Sequence, residues 1–138
     1  MNCNPTKCKE LIVRKSGHGD EYNTIMGICQ CTQLPIVGLI FQSDCRFNIH
    51  VRNKLDKANK SLFIIRSLCK EGCKQPEIDH LFWSIVLPNI TYALAVYGAV
   101  RPELTMAQNF LDRCFKRRYV SERIDILDIL EKQDKKNF

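Results

Sequence analysis

Three side chains in this sequence spell out the ligand set of a non-haem iron dioxygenase. His18-Gly19-Asp20 supplies a His-x-Asp pair and His80 a distant second histidine. Enzymes of that kind hold iron(II) between two histidines and a carboxylate. The surrounding sequence does not support the site. His18 lies in a Gly-rich turn and His80 in a helical stretch, and the strand-forming runs are too few for a double-stranded β-helix. Two-metal phosphoryl transfer needs carboxylates that clamp ions about 4 Å apart, and no two aspartates are adjacent anywhere in the chain. A Gly-rich phosphate loop, a G-x-S-x-G elbow and a Cys–His nucleophile pair are also missing. The expectation is a chain that is not an enzyme and that carries no cofactor and no metal.

Eight cysteines, at positions 3, 8, 29, 31, 45, 69, 73 and 114, raise the question of zinc or disulfides. Their spacing is irregular and contains no C-x-x-C, whereas a zinc ribbon needs two close pairs that can converge on a tetrahedron. Cys69 and Cys73 stand four apart but straddle Gly72, where a helix is expected to end. Ordinary free thiols are expected.

The strongest local signal is charge. Between Cys45 and Lys74 there are eight Lys or Arg against two acids, so this one segment matches the +6 of the whole 138-residue chain. In the same segment Val51, Leu55, Ala58, Leu62 and Ile65 recur at helical spacing and predict an apolar stripe. Arg46, Lys54, Lys57 and Lys60 are expected on the opposite side. A helix built this way can pack by one face and meet nucleic-acid phosphates with the other. The generic alternative is a solvated charged face.

The elements that position these residues read as follows. Residues 10–14, 24–28 and 34–41 predict strands, the first stopped by Gly17 and Gly19, the third with a bulge at Gly38. Ser43 or Asp44 is the expected N-cap of a long helix ending at Gly72. Pro76 opens a second helix on Ile78, Leu81, Phe82, Ile85 and Val86, which Pro88 should break or kink. Residues 89–96 predict a short buried helix ending near Gly98. Residues 102–119 predict another, with Leu104, Ala107, Leu111, Cys114 and Phe115 inward and Lys116-Arg117-Arg118 at its C-terminus. Residues 121–132 predict a last helix built on Ile124, Leu127 and Leu130, followed by a frayed tail. The predicted class is α+β, predominantly helical: short N-terminal strands, then three to four helices.

Several strings in this order resemble the end of the palm and the thumb of a non-LTR (LINE-type) retrotransposon reverse transcriptase, over residues 2–118. Asn4-Pro5-Thr6-Lys7-Cys8-Lys9-Glu10-Leu11 resembles the segment that follows the catalytic aspartates, with Cys8 in place of a hydroxyl residue. The resemblance implies that Lys7 meets the incoming nucleotide's phosphate. Read without it, Lys7 is a solvated lysine before an edge strand. Ile36-Val37-Gly38-Leu39 resembles the Y-L-G turn that grips the primer terminus, with Gly38 where a nucleic-acid backbone must come close. Phe47-x-x-His50 followed by Lys57-Ala58-Asn59-Lys60 resembles the W-x-x-H and K-A-x-x-x-L signature that opens the thumb. Leu87-Pro88-x-x-x-Tyr92 with Tyr97-Gly98 resembles a further segment of the same family. His50, taken alone, is expected to pack or hydrogen-bond. The same stretch is similar to the family labelled AlkB-homologue amino-terminal domain.

What the resemblance implies is a polymerase piece whose catalytic carboxylates would lie upstream. Residues 1–45 would end the palm, 46–120 would form the thumb, and 121–138 would add a helix and tail. Lys7, Gly38, Lys54, Lys57 and Lys60 would bind the backbone of DNA or an RNA–DNA duplex weakly and without sequence preference, and an upstream palm domain would be a further partner. A small helical interaction module without nucleic-acid binding is one alternative; the alkylation-repair, dioxygenase-related role that the second family label implies is another, although the sequence offers no convincing catalytic site for it. No segment approaches the roughly 18 apolar residues of a membrane span, and the N-terminus lacks a signal pattern. The expected setting is intracellular, cytoplasm or nucleus, with no membrane partner.

Overall fold

Asn4 opens the described chain by capping a turn. Its Oδ1 accepts from the Thr6 backbone N–H at 3.1 Å and from the Thr6 hydroxyl at 2.7 Å, and Pro5, with φ already fixed, starts a 3-10 turn over Pro5–Lys7. The computed structural model describes residues 4–13, 25–92, 94–98 and 101–136. These hold strands β1 (Lys9–Leu11), β2 (Cys29–Cys31), β3 (Gln33–Ile36) and β4 (Leu39–Gln42). Six helices follow: α1 (Asn48–Lys70), α2 (Gln75–Leu81), α3 (Leu87–Thr91), α4 (Leu94–Tyr97), α5 (Arg101–Lys116) and α6 (Ile126–Lys136). Helix accounts for 62% of what is described, which makes the fold α+β and predominantly helical. The chain divides into two compact units, Met1–His50 and Val51–Phe138.

In the first unit β1 and β2 pair in parallel, Lys9 opposite Cys29 and Leu11 opposite Cys31. β3 and β4 form an antiparallel hairpin in which Ile36 faces Leu39. The two residues between them, Val37 and Gly38, have φ of +51° and +77°. Two left-handed residues in a two-residue loop make a type I′ turn, whose twist matches that of the flanking strands. The single bulged strand expected over residues 34–41 is therefore two strands with Gly38 at the turn. Residues 25–28 turn instead of extending, with the Ile28 N–H on the Ile25 carbonyl at 3.0 Å and Gly27 at φ +80°. Arg14, Gly17, Gly19 and Thr24 lie outside the described residues.

α1 starts later than a cap at Ser43 or Asp44 would allow. Asp44 Oδ1 accepts the Arg46 N–H at 3.0 Å, a local turn that competes with helix. The α1 N-terminus is served by the buried Gln42, whose Oε1 accepts the Ile49 N–H at 3.1 Å. Among the described residues of this unit only Leu39, Gln42 and His50 are buried.

The second unit has a core of its own. Val51, Ala58, Leu62 and Ile65 bury the α1 stripe, together with Ile78, Phe82, Ile90, Leu94, Phe110 and Leu111 from the other helices. Gly72 ends α1 at φ +82°. The Cys73 N–H reaches the Leu68 carbonyl at 3.1 Å and the Gly72 N–H reaches that of Cys69 at 3.3 Å, so carbonyls otherwise orphaned at the helix end are satisfied. Pro88 has no N–H to return to Ser84, and the chain widens into a π-turn over Phe82–Val86 just before it, with the Leu87 N–H on the Phe82 carbonyl.

α5 ends at Lys116 in the same kind of closure as α1, but its left-handed residue is Arg118 at φ +60°. The Tyr119 N–H bonds the Cys114 carbonyl at 3.1 Å. The last helix begins at Ile126 and not at 121, because the preceding segment is held by side chains. Asp79 accepts the Ser121 N–H at 2.9 Å and the Ser121 hydroxyl. Gln108 donates to the Ile124 carbonyl at 3.0 Å and accepts the Ile126 N–H at 2.9 Å. With this start Ile124 and Ile126 are buried, while Leu127 and also Phe115, both expected inward, are exposed. α6 continues to Lys136, through most of the expected tail. No described helix is long and apolar enough to cross a membrane.

Candidate nucleic-acid interface

Two of the marked residues lie in the first unit. Lys7 is exposed at the end of the Asn4-capped turn, separated from β1 by Cys8. Gly38 is exposed at the hairpin tip beside Val37, which is 85% exposed. The Phe47-x-x-His50 string has a mechanical role. Phe47 packs edge-on against Phe41 of β4 with ring centroids 5.8 Å apart. His50 is fully buried, and its Nδ1 accepts the Ile40 N–H at 3.3 Å. Accepting that bond requires an unprotonated Nδ1. The two side chains fasten the start of α1 to the hairpin.

The three lysines of α1 lie in the second unit and do not behave alike. Lys57 and Lys60 are exposed, on the side away from Val51, Ala58 and Leu62. Lys54, expected beside them, is half-buried instead, with its Nζ 4.6 Å from the centre of the Tyr92 ring. Helical geometry explains the correction: Lys54 lies three residues after Val51 and one before Leu55, on the flank of the apolar stripe. Burial, and secondarily the charge of Lys57, hold its ammonium below the ordinary lysine range. Arg52 is also exposed on α1. The Lys54–Tyr92 contact joins residues 38 apart and has no local sequence signal, although both belong to strings singled out above.

The Leu87-Pro88-x-x-x-Tyr92 and Tyr97-Gly98 strings also prove architectural. Pro88 imposes the π-turn, and Tyr97 is buried with its hydroxyl donating to the Ile90 carbonyl. Burial raises the Tyr97 phenol well above its usual range. Gly98 admits α6, since a Cβ there would stand 2.6 Å from the Leu94 carbonyl and 3.2 Å from Leu130.

His18 and Asp20 lie outside the described residues, and His80 is exposed on α2. Among the described residues no group of His, Cys, Asp or Glu is placed to hold a metal, and cysteines 29, 31, 45, 69, 73 and 114 are free thiols. Burial pushes the Cys114 thiol up to about 11, against the downward pull of Arg113, Arg117 and Arg66. Arg113 and Arg117 border a cleft between α1 and α5 that the sequence did not mark. Arg117 reads from sequence as part of a favourable helix end, and only the packing of α5 near Asp56 and Asn59 of α1 makes it part of a site. Comparison with protein-family models, with curated proteins and with solved structures finds no match to this chain.

Proposed function

We propose that this chain is the end-of-palm and thumb part of a non-LTR retrotransposon reverse transcriptase, working in the cytoplasm or nucleus. It holds a primer–template duplex by its phosphates and performs no catalysis itself. The observation that carries this reading is α1. One face of this 23-residue helix is buried, while Arg52, Lys57 and Lys60 stay exposed. Cations fixed on a rigid rod track a phosphate backbone without reading bases.

The first unit supports the same reading. A three-residue parallel pair and a four-residue hairpin are short of what an independently stable sheet needs. Val13, Ile25, Ile36 and Val37 are about half or more exposed. Strands of this kind suit the margin of a larger sheet, such as an upstream palm would provide. Val37 and Gly38 lie at a tip where a primer end could approach a bare backbone.

The test is equilibrium binding of the full chain to DNA and RNA–DNA duplexes of unrelated sequence at low salt. Equal affinity within a few-fold is expected. Absence of binding would leave the helical interaction module as the better reading, and strong sequence preference would contradict backbone gripping. With Mg²⁺, nucleotides and primer–template, no extension above a no-protein control is expected, and extension would overturn the non-catalytic assignment.

A further inference from the structure

We infer that the cleft between α1 and α5 binds a single nucleotide unit, its phosphate on Arg113 and Arg117 and its base on the apolar floor. This goes beyond duplex gripping, which needs only phosphates and the outer face of α1. The cavity measures about 250 Å³. That is below the roughly 300–1,000 Å³ of drug-sized pockets, so it leaves no room for a ligand larger than one nucleotide unit. Its floor is apolar: Leu62 and Phe110 are buried there, and Leu55, although part of the α1 stripe, is left half-covered. Leu55 is the part of this floor left partly uncovered, and a planar ring laid on it would restore the dispersion contacts it forfeits.

The polar rim is divided in two. On the α5 side Arg113 and Arg117 stand one turn apart, with the Arg113 guanidinium 5.9 Å from the Phe110 ring centre. Paired guanidinium forks match phosphate oxygens better than point charges do. On the α1 side are Asp56 and Asn59. A carboxylate accepts hydrogen bonds and donates none, so Asp56 calls for a donor on the ligand, and Asn59 offers both roles. A bare anion would leave the floor open and set Asp56 against like charge. A base with an exocyclic amino group meets all three demands, which favours adenine, guanine or cytosine over uracil or thymine.

Tyr119 closes one end. Its hydroxyl accepts the Arg66 Nε–H at 3.1 Å, and it is placed by the turn in which Arg118 adopts φ +60°, a conformation costly for a long side chain such as arginine. In a duplex the amino edge of a base is already paired. The ligand is therefore a free nucleotide or an unpaired nucleotide of a single strand.

The experiment is calorimetric titration of the full chain with AMP, UMP, adenosine, inorganic phosphate and a short oligo(dA). AMP is expected to bind more tightly than UMP, adenosine or phosphate. Arg117→Gln should weaken AMP at least tenfold, and Arg117→Lys, which keeps the charge, should recover only part of it. Asp56→Asn should reduce the preference for AMP over UMP. Tighter binding of oligo(dA) than AMP assigns the source as a single strand, and the reverse assigns it as free nucleotide; either supports the site. Lys57→Gln with Lys60→Gln should leave AMP affinity unchanged, so failure of duplex gripping and failure of this site are separable. Equal affinity for phosphate and AMP, or no effect of Arg117→Gln in a variant with an unchanged circular dichroism spectrum, would overturn the proposal.

Discussion

Replacing Val37 by Asn should stabilise the β3–β4 hairpin. At φ +51° Val37 occupies the left-handed region, which costs an L-residue about 1–2 kcal/mol and is least suited to a β-branched one. Asn tolerates that region, and Asn-Gly is a preferred pair for a type I′ turn. The loss on substitution is small. Val37 is 85% exposed, so burial of its side chain contributes only a few tenths of a kcal/mol out of the ~1.5 kcal/mol that full burial would give. The net gain is about 1 kcal/mol. Because the two units need not unfold together, the assay is amide hydrogen exchange in β3 and β4. One kcal/mol of local opening energy corresponds to roughly a fivefold rise in protection. Unchanged or weaker protection would refute the claim that the backbone at Val37 is strained. If the strain serves primer contact, the same variant should bind duplex more weakly while being more stable.

Arg118→Gly should stabilise the second unit by up to about 1 kcal/mol, since glycine occupies the left-handed helix-end position freely; a lowered melting temperature would show that the Arg118 side chain contributes more than its backbone costs. Gln108→Ala should destabilise by about 1–3 kcal/mol in chemical denaturation, because it strands the Ile126 N–H and the Ile124 carbonyl that Gln108 satisfies; a change below about 0.5 kcal/mol would mean that water replaces it. Asp79 gives a pH dependence. Burial pushes its carboxyl up, but hydrogen bonds from the Ser121 hydroxyl, Gln75 and the Ser121 N–H outweigh this and hold it below its ordinary 3.8. A depressed carboxylate contributes stability above its unfolded pKa and loses it as the pH falls through the folded one. Stability should therefore drop below about pH 4, and Asp79→Asn should flatten that drop; Asp112, lowered mainly by Arg123 and Gln108, titrates in the same window and accounts for what remains.

Features set by local chemistry were readable in the sequence. The α1 stripe, its stop at Gly72, the helix near Pro76 and the disturbance at Pro88 each follow from one residue type or one period. The hairpin was not, because its turn begins with valine, the opposite of the expected signal. The start of α1 was misjudged because Gln42, several residues upstream, serves the helix end in place of Ser43 or Asp44. The start of α6 was misjudged because Asp79 and Gln108 hold the segment before it from a distance. The same limit applies to the candidate sites. Lys57 and Lys60 follow from helical periodicity, but the covering of Lys54 by Tyr92 and the meeting of Arg113 and Arg117 with Asp56 and Asn59 depend on helices brought together by tertiary packing.

The most direct measurement is the salt dependence of duplex affinity for the unaltered chain and for the Lys57→Gln, Lys60→Gln variant. Each phosphate contact contributes about 0.9 to the slope of log affinity against log salt. Loss of two should flatten the slope by up to about two and weaken all duplex sequences alike. Lys54→Gln should change the slope little, because that ammonium is engaged with Tyr92. An unchanged slope and affinity in the double variant would show that the outer face of α1 is a solvated surface and not a grip on nucleic acid.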